Sequence, residues 1–211
     1  MDMDAMRGRR FRPGSAQRRK GVDLRFLLSP LMAAVLLMLP AGSHARAEGR
    51  ATPALWQTLM ARPAVTIGPA HPRTIIQVLF DPNCPYCHRL WLRLQPYARR
   101  GLAVRWIPVA FIRPSSLPKA AAILAARDPV QAFTFNEAHY DTARMEGGQL
   151  PLYAIPQALR AQIEANTALF ERLQTPTPAI VYQAQNGRVA IIRGWDIGKV
   201  NAWLASLGAE H

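Results

Sequence analysis

The chain has two cysteines, Cys84 and Cys87. They stand immediately after the apolar run Thr74 to Phe80 and the turn Asp81-Pro82-Asn83. This arrangement constrains the fold more than any other feature. A β-branched, almost continuously apolar run reads as a strand covered on both faces. After it, Leu90, Trp91, Leu94 and Tyr97 follow Cys87 at three- and four-residue steps, which predicts one buried face of a helix over 84–100. A thiol at a helix start faces unpaired backbone N–H groups and the positive end of the helix dipole. Both lower its pKa below the free value of about 8.5. Cys84 is therefore expected to be an acidic, accessible attacking sulfur, and Cys87, one turn further in, the resolving thiol. Pro85 and Tyr86 between them are expected to tune the redox balance. A loop this short makes a poor staple, so the pair reads as chemistry rather than reinforcement.

The N-terminal stretch reads as an address, not as fold. Residues 1–47 carry 9 of the 26 Lys and Arg and 3 of the 13 Asp and Glu, so nearly half of the net +13 lies there. A basic stretch to Arg25, an apolar run over 26–39 broken by Pro30, and the exit Ala45-Arg46-Ala47 predict a secretory signal peptide, cleaved after Ala47. The apolar run falls short of the roughly 20 residues that span a bilayer. An inner-membrane anchor facing the periplasm is the alternative. Export places the mature domain, residues 48–211, in an oxidising space such as a bacterial periplasm. Its basic residues are scattered, with no aromatic-interleaved stripe, and nucleic-acid binding is not expected.

Along the mature chain the patterning predicts a helix over 53–60, a short edge strand over 64–67 and the central strand over 74–80. The cysteine helix follows, with Pro96 inside it, Arg99 and Arg100 in its last turn and Gly101 closing it. A second core strand is expected over 102–112, where Pro108 suggests a bend or an edge. Strand signals vanish from 113 to 174, where three helices are expected. A hairpin over 178–192, turning at Asn186-Gly187, and a helix over 196–207 complete the chain. The order β, redox helix, β, helical block, hairpin, helix is that of an α/β thioredoxin-like fold with a helical insertion between its two halves, at about 113–174.

Thr177-Pro178-Ala179-Ile180 is the second informative stretch. Before a strand, proline is tolerated and X-Pro is the bond that adopts cis most cheaply. A cis bond before Pro178 would turn the backbone of Thr177 towards Cys84, where an extended substrate could pair as an added strand. The plainer alternative is that Pro176 and Pro178 end the preceding helix. The stretch 80–87 (Phe80, Asp81, Pro82, Asn83, Cys84, Pro85, Tyr86, Cys87) resembles the active site of the DsbC/DsbG periplasmic disulfide isomerases, DsbG above all. Trp56, Trp91, the 120–129 segment and Thr177-Pro178-Ala179-Ile180 extend the resemblance over about residues 55–207.

That resemblance implies a thioredoxin-fold catalytic domain with Cys84 as nucleophile, Cys87 as resolving cysteine and Thr177-Pro178 as the substrate-positioning loop. It implies thiol:disulfide oxidoreductase or isomerase activity on exported cysteine-containing proteins, and an inner-membrane thiol electron donor as partner. Those isomerases carry an N-terminal dimerisation domain, and here only residues 48 to about 54 precede the catalytic region. A monomer is therefore expected, and a DsbA-like thiol oxidase is the alternative function. No cofactor is expected beyond a redox-active Cys84–Cys87 disulfide. Cys84-x-x-Cys87-His88 also spells the c-type haem attachment motif, but a buried strand before it and a proline loop downstream do not suit a haem protein. His71, His139 and His211 show no metal-ligand spacing, so no metal is expected. His88 is expected on the solvent side of the helix, and Trp56, Trp91, Trp195 and Trp203 are expected to pack.

Overall fold

The computed structural model describes residues 51–184 and 186–208. The expected leader, 1–47, lies outside the described residues. Among the described residues no helix is long and apolar enough to cross a membrane.

The elements run α1 (Pro53–Met60), β1 (Val65–Ile67), β2 (Thr74–Phe80), α2 (Pro85–Ala98), β3 (Leu102–Pro108), α3 (Ser116–Ala125), α4 (Pro129–Ala138), α5 (Gln157–Arg172), β4 (Ala179–Gln183), β5 (Val189–Arg193) and α6 (Ile197–Gly208). The five strands form one mixed sheet in the order β1-β3-β2-β4-β5. β2 lies at its centre, parallel to β3 and antiparallel to β4. This is the thioredoxin-like arrangement, with α3, α4 and α5 inserted between the β2–α2–β3 half and the hairpin half.

Period-two alternation divides the core. Val78 and Phe80 of β2 face the cluster that holds Leu90 and Leu94 of α2 and Trp203 and Leu204 of α6. Leu79 faces the opposite cluster, with Leu55 and Leu59 of α1 and Leu169 and Phe170 of α5. Two residues before Leu79, on the same face of β2, Gln77 is wholly buried and is satisfied there. Its amide donates to the Trp56 carbonyl at 3.2 Å and accepts from Arg105 at 2.9 Å. The same guanidinium donates to the carbonyls of Leu59 and Arg62, pinning the end of α1 to the sheet. The insertion also enters the core. Phe133 of α4 packs edge-on against Phe80 (centroids 5.0 Å apart) and lies 4.9 Å from Trp106.

Three local expectations are corrected. β3 stops at Pro108, not at Ile112: the Val109 amide still donates to the Phe80 carbonyl, but the Ala110 amide turns to the Thr167 hydroxyl and those of Phe111 and Ile112 to the Asp81 carboxylate. Pro108 marks that strand's end rather than a sheet edge, since β3 is flanked by β1 and β2. α2 ends at Ala98, so Arg99 is its C-cap and Arg100 lies beyond it. Pro96 falls in the last turn, and Gly101, at φ +96°, turns the chain into β3. The hairpin turn at Asn186-Gly187 is as expected, with Gly187 at φ +75°.

Candidate functional site

β2 delivers the chain to the C-terminal edge of the sheet, and after four residues, 81–84, α2 begins. The Cys84 amide donates to the Asp81 carbonyl at 2.9 Å, closing the turn. Cys84 is the N-cap residue of α2, extended at φ −84°, with Pro85 opening the helix. Its sulfur takes the capping role usually filled by an oxygen: the Cys87 amide donates to Sγ at 3.3 Å. On the neighbouring strand, a cis Thr177–Pro178 peptide precedes β4, which pairs antiparallel with β2. Thr177 presents both polar atoms to the sulfur. Its hydroxyl donates to Cys84 Sγ at 3.3 Å, and its carbonyl lies 3.9 Å from it. The cysteine pair and the Thr177-Pro178 loop, 90 residues apart in sequence, therefore meet at one place.

The two thiols have opposite surroundings. The Cys84 pKa is lowered first by the hydrogen bond from the Cys87 side chain, then by the Thr177 hydroxyl and the backbone N–H groups of Cys87 and Tyr86, against a burial penalty. The neighbouring thiol thus leads, ahead of the helix-start N–H groups expected from the sequence. Cys87 is wholly buried and its pKa is pushed well above the ordinary thiol value, by burial first and then by the Cys84 sulfur. Both cysteines are free. One expectation fails: Cys84 is only 2 % exposed, so the sulfur is acidic but covered rather than accessible. Beside it Tyr86 is 45 % exposed, with the Arg89 guanidinium 5.3 Å from its ring centroid.

The residues just before Cys84 carry the feature that sequence reading missed. Asp81 is wholly buried, and its carboxylate accepts from the Asn83 amide and the Ser116 hydroxyl on one oxygen and from the Phe111 and Ile112 amides on the other, at 2.7–3.0 Å. The Pro82 carbonyl accepts from Asn136 at 3.0 Å. The Asn83 side chain donates to Ser115 and Ser116 and accepts from the Gly147 amide, while its carbonyl accepts from the Tyr140 hydroxyl at 2.9 Å. Gly147 approaches so closely that a Cβ there would lie 2.3 Å from the Pro82 carbonyl oxygen. Lys119, 4 % exposed, holds the same loop through the Gly147 carbonyl and pairs with Glu146 at 2.9 Å. Every residue from Asp81 to Asn83 is thus hydrogen-bonded by the insertion or by the segment leading into it. The one available signal was two polar residues at the end of a fully buried strand.

His88 is also not where it was expected. It stacks on Tyr140 with ring centroids 4.8 Å apart and faces Glu137 of α4, Nδ1 to Oε2 at 3.7 Å. Trp56 and Trp203 are buried, and Trp91 and Trp195 pack against the core, as expected. Among the described residues no group of three or more His, Cys, Asp or Glu side chains is arranged to hold a metal ion.

Comparison with known proteins gives the site its context. No family model matches the chain. The thiol:disulfide interchange protein DsbG of Pseudomonas aeruginosa is 34% identical over 137 residues, 64% of this chain and 52% of that protein. DsbG of Escherichia coli strain K12 is 31% identical over 136 residues, 62% of this chain and 52% of that protein. The chain spans about half the length of these curated relatives, and over that stretch it is DsbG-like. A periplasmic thioredoxin-like protein from Salmonella enterica serovar Typhimurium superposes with a TM-score of 0.57 at 21% identity, covering 76% of this chain and 99% of that one. The catalytic domain of Proteus mirabilis ScsC gives 0.56 at 19% identity, covering 74% and 96%. These two likenesses bear on the fold alone.

Proposed function

We propose that this domain is a thiol:disulfide oxidoreductase or isomerase that acts in the periplasm on cysteines of exported proteins, and that an inner-membrane thiol donor keeps it reduced. The observation that carries this reading is the split between the two sulfurs. Cys84 is hydrogen-bonded as a thiolate at a helix start, and Cys87, in van der Waals surroundings one turn away, holds its proton. In the first step the Cys84 thiolate attacks one sulfur of a client disulfide. A Cys84–client bond forms and the other client sulfur leaves with the electron pair. Thr177 and Pro178 position the client beside the sulfur, where an extended segment can pair with the Thr177 backbone. Two exits follow. When Cys87 attacks Cys84, the client leaves reduced and the domain is left oxidised. When another client thiolate attacks instead, the client bond is reshuffled and Cys84 is regenerated with no net change in oxidation.

The haem reading has less support, because the imidazole of His88 is taken up by Tyr140 and Glu137 and Cys87 is wholly buried. Cys84→Ser is expected to abolish exchange with small and protein disulfides. Cys87→Ser is expected to accumulate mixed disulfides with clients, visible on non-reducing gels. If Cys87→Ser traps none under oxidising conditions, the assigned roles are wrong. Refolding of scrambled ribonuclease then separates isomerase from oxidase behaviour, and the reduction potential gives the direction, at 1.4 kcal/mol per roughly 30 mV.

A further inference from the structure

The attack of Cys87 on a mixed disulfide requires a proton to leave a thiol that is wholly buried. The next residue of α2, His88, forms with Glu137 of α4 a buried acid–imidazole pair that no step above uses. Glu137 projects from α4 with 1% of its surface exposed. One carboxylate oxygen accepts from Asn136 at 3.0 Å, and the other stands 3.7 Å from His88 Nδ1. Neither of those two facing atoms makes a hydrogen bond, although both are buried. Such an orphaned pair costs stability. The pair is also graded towards solvent: the Glu137 side chain is 2 % exposed and that of His88, the residue after Cys87, is 16 %.

We propose that the Glu137–His88 pair accepts the proton of Cys87 during the resolving step and passes it to solvent from the imidazole. The inference rests on the function proposed above. The Cys87 S–H bond breaks and its proton moves to the pair, leaving Cys87 as thiolate. That thiolate attacks Cys84 Sγ, the Cys84–Cys87 bond forms, and the Cys84–client bond breaks. The client sulfur departs with the electron pair and is protonated from water. Burial raises the Glu137 pKa above the ordinary carboxylate value, and the carboxylate acts electrostatically on Cys87. The other charged or titratable groups acting at this corner are Cys84 at the start of α2, Tyr140 after α4 and Arg113 after β3. Tyr140 is held as the neutral phenol, its pKa raised above the ordinary value chiefly by burial.

A chromogenic aryl disulfide reads both steps on the intact protein by stopped flow. The first equivalent of released aryl thiolate reports attack by Cys84, and the second reports displacement by Cys87. Glu137→Gln keeps the Asn136 hydrogen bond. It also removes a carboxylate whose ionised form loses stability as pH rises through its raised pKa, so this variant is expected to fold. Its first phase should match the wild type. Its second phase should slow by at least roughly tenfold near neutral pH and become proportional to hydroxide. His88→Asn should give the same pH profile in weaker form. A second phase that accelerates in Glu137→Gln would mean that the carboxylate only repels the Cys87 thiolate. A loss equal at every pH would mean that Cys87 has merely been displaced. Either result overturns the proposal, as does an unchanged profile in both variants. A wild-type protein that releases no first equivalent would instead remove the function on which the proposal stands.

Discussion

Two regions bring the cysteine pair into place, and they do it by different physics. Below Cys87, helix α2 rests on the sheet through Leu90 and Leu94 against Val78, Val104 and Ile180, all nearly or fully buried. Just before Cys84, the 81–83 turn is held by Ser116, Asn136, Tyr140 and Gly147 through directional hydrogen bonds. Apolar contact is non-directional and scales with area, so it sets how strongly the helix adheres. Hydrogen bonds specify angle as well as distance, so the polar side sets where the Cys84 sulfur points. Damage to the first region should therefore cost stability alone, whereas damage to the second should cost stability and reactivity together.

The most severe break is expected from Asp81→Ala. It strands four donors in a dry interior, at about 3–5 kcal/mol in total. Urea unfolding should show that loss, and the folded fraction should show slower alkylation of Cys84 at neutral pH. If the midpoint moves while the alkylation rate does not, the distinction between the two regions is lost. Leu90→Ala removes a fully buried side chain from the apolar side and should cost about 2–4 kcal/mol. Here the folded protein should alkylate at the wild-type rate, and a slowed rate would show that the apolar side also aims the sulfur.

The smallest effect is expected from Thr177→Val, which removes one hydroxyl donor at 3.3 Å from Sγ. The Cys84 pKa should rise towards the ordinary thiol value, read by ultraviolet thiolate absorbance. The sign follows from linkage. Because the folded pKa is lowered, the thiolate stabilises the reduced protein above the unfolded thiol value, and this is lost as pH falls through the folded one. Thr177→Val should narrow that window from its acid side. An unchanged titration would mean that the Cys87 thiol and the helix amides suffice by themselves.

Much of the fold was legible because burial leaves a period. The apolar run of β2, the three- and four-residue steps of α2 and the Asn186-Gly187 turn each carry their structure in a few neighbouring residues. The boundary errors came where a distant group intervened. β3 ends early where Thr167 takes the Ala110 amide and Asp81, about 30 residues upstream, captures those of Phe111 and Ile112. His88 occupies a position that helical spacing assigns to the surface, but α4 covers that face and brings Glu137 and Tyr140 onto it.

Local order along the chain determined that a thiol pair would sit at the start of a helix behind a buried strand. Helix geometry and side-chain periodicity act over a few residues and need no knowledge of the rest. Only the folded chain decided how that thiol is held: Thr177 at the sulfur itself, and Asn136 and Tyr140 of the insertion on the turn before it. Hydrogen-bond partners separated by 30 to 90 residues leave no repeating pattern, and their pairing exists only once the layers have closed on one another.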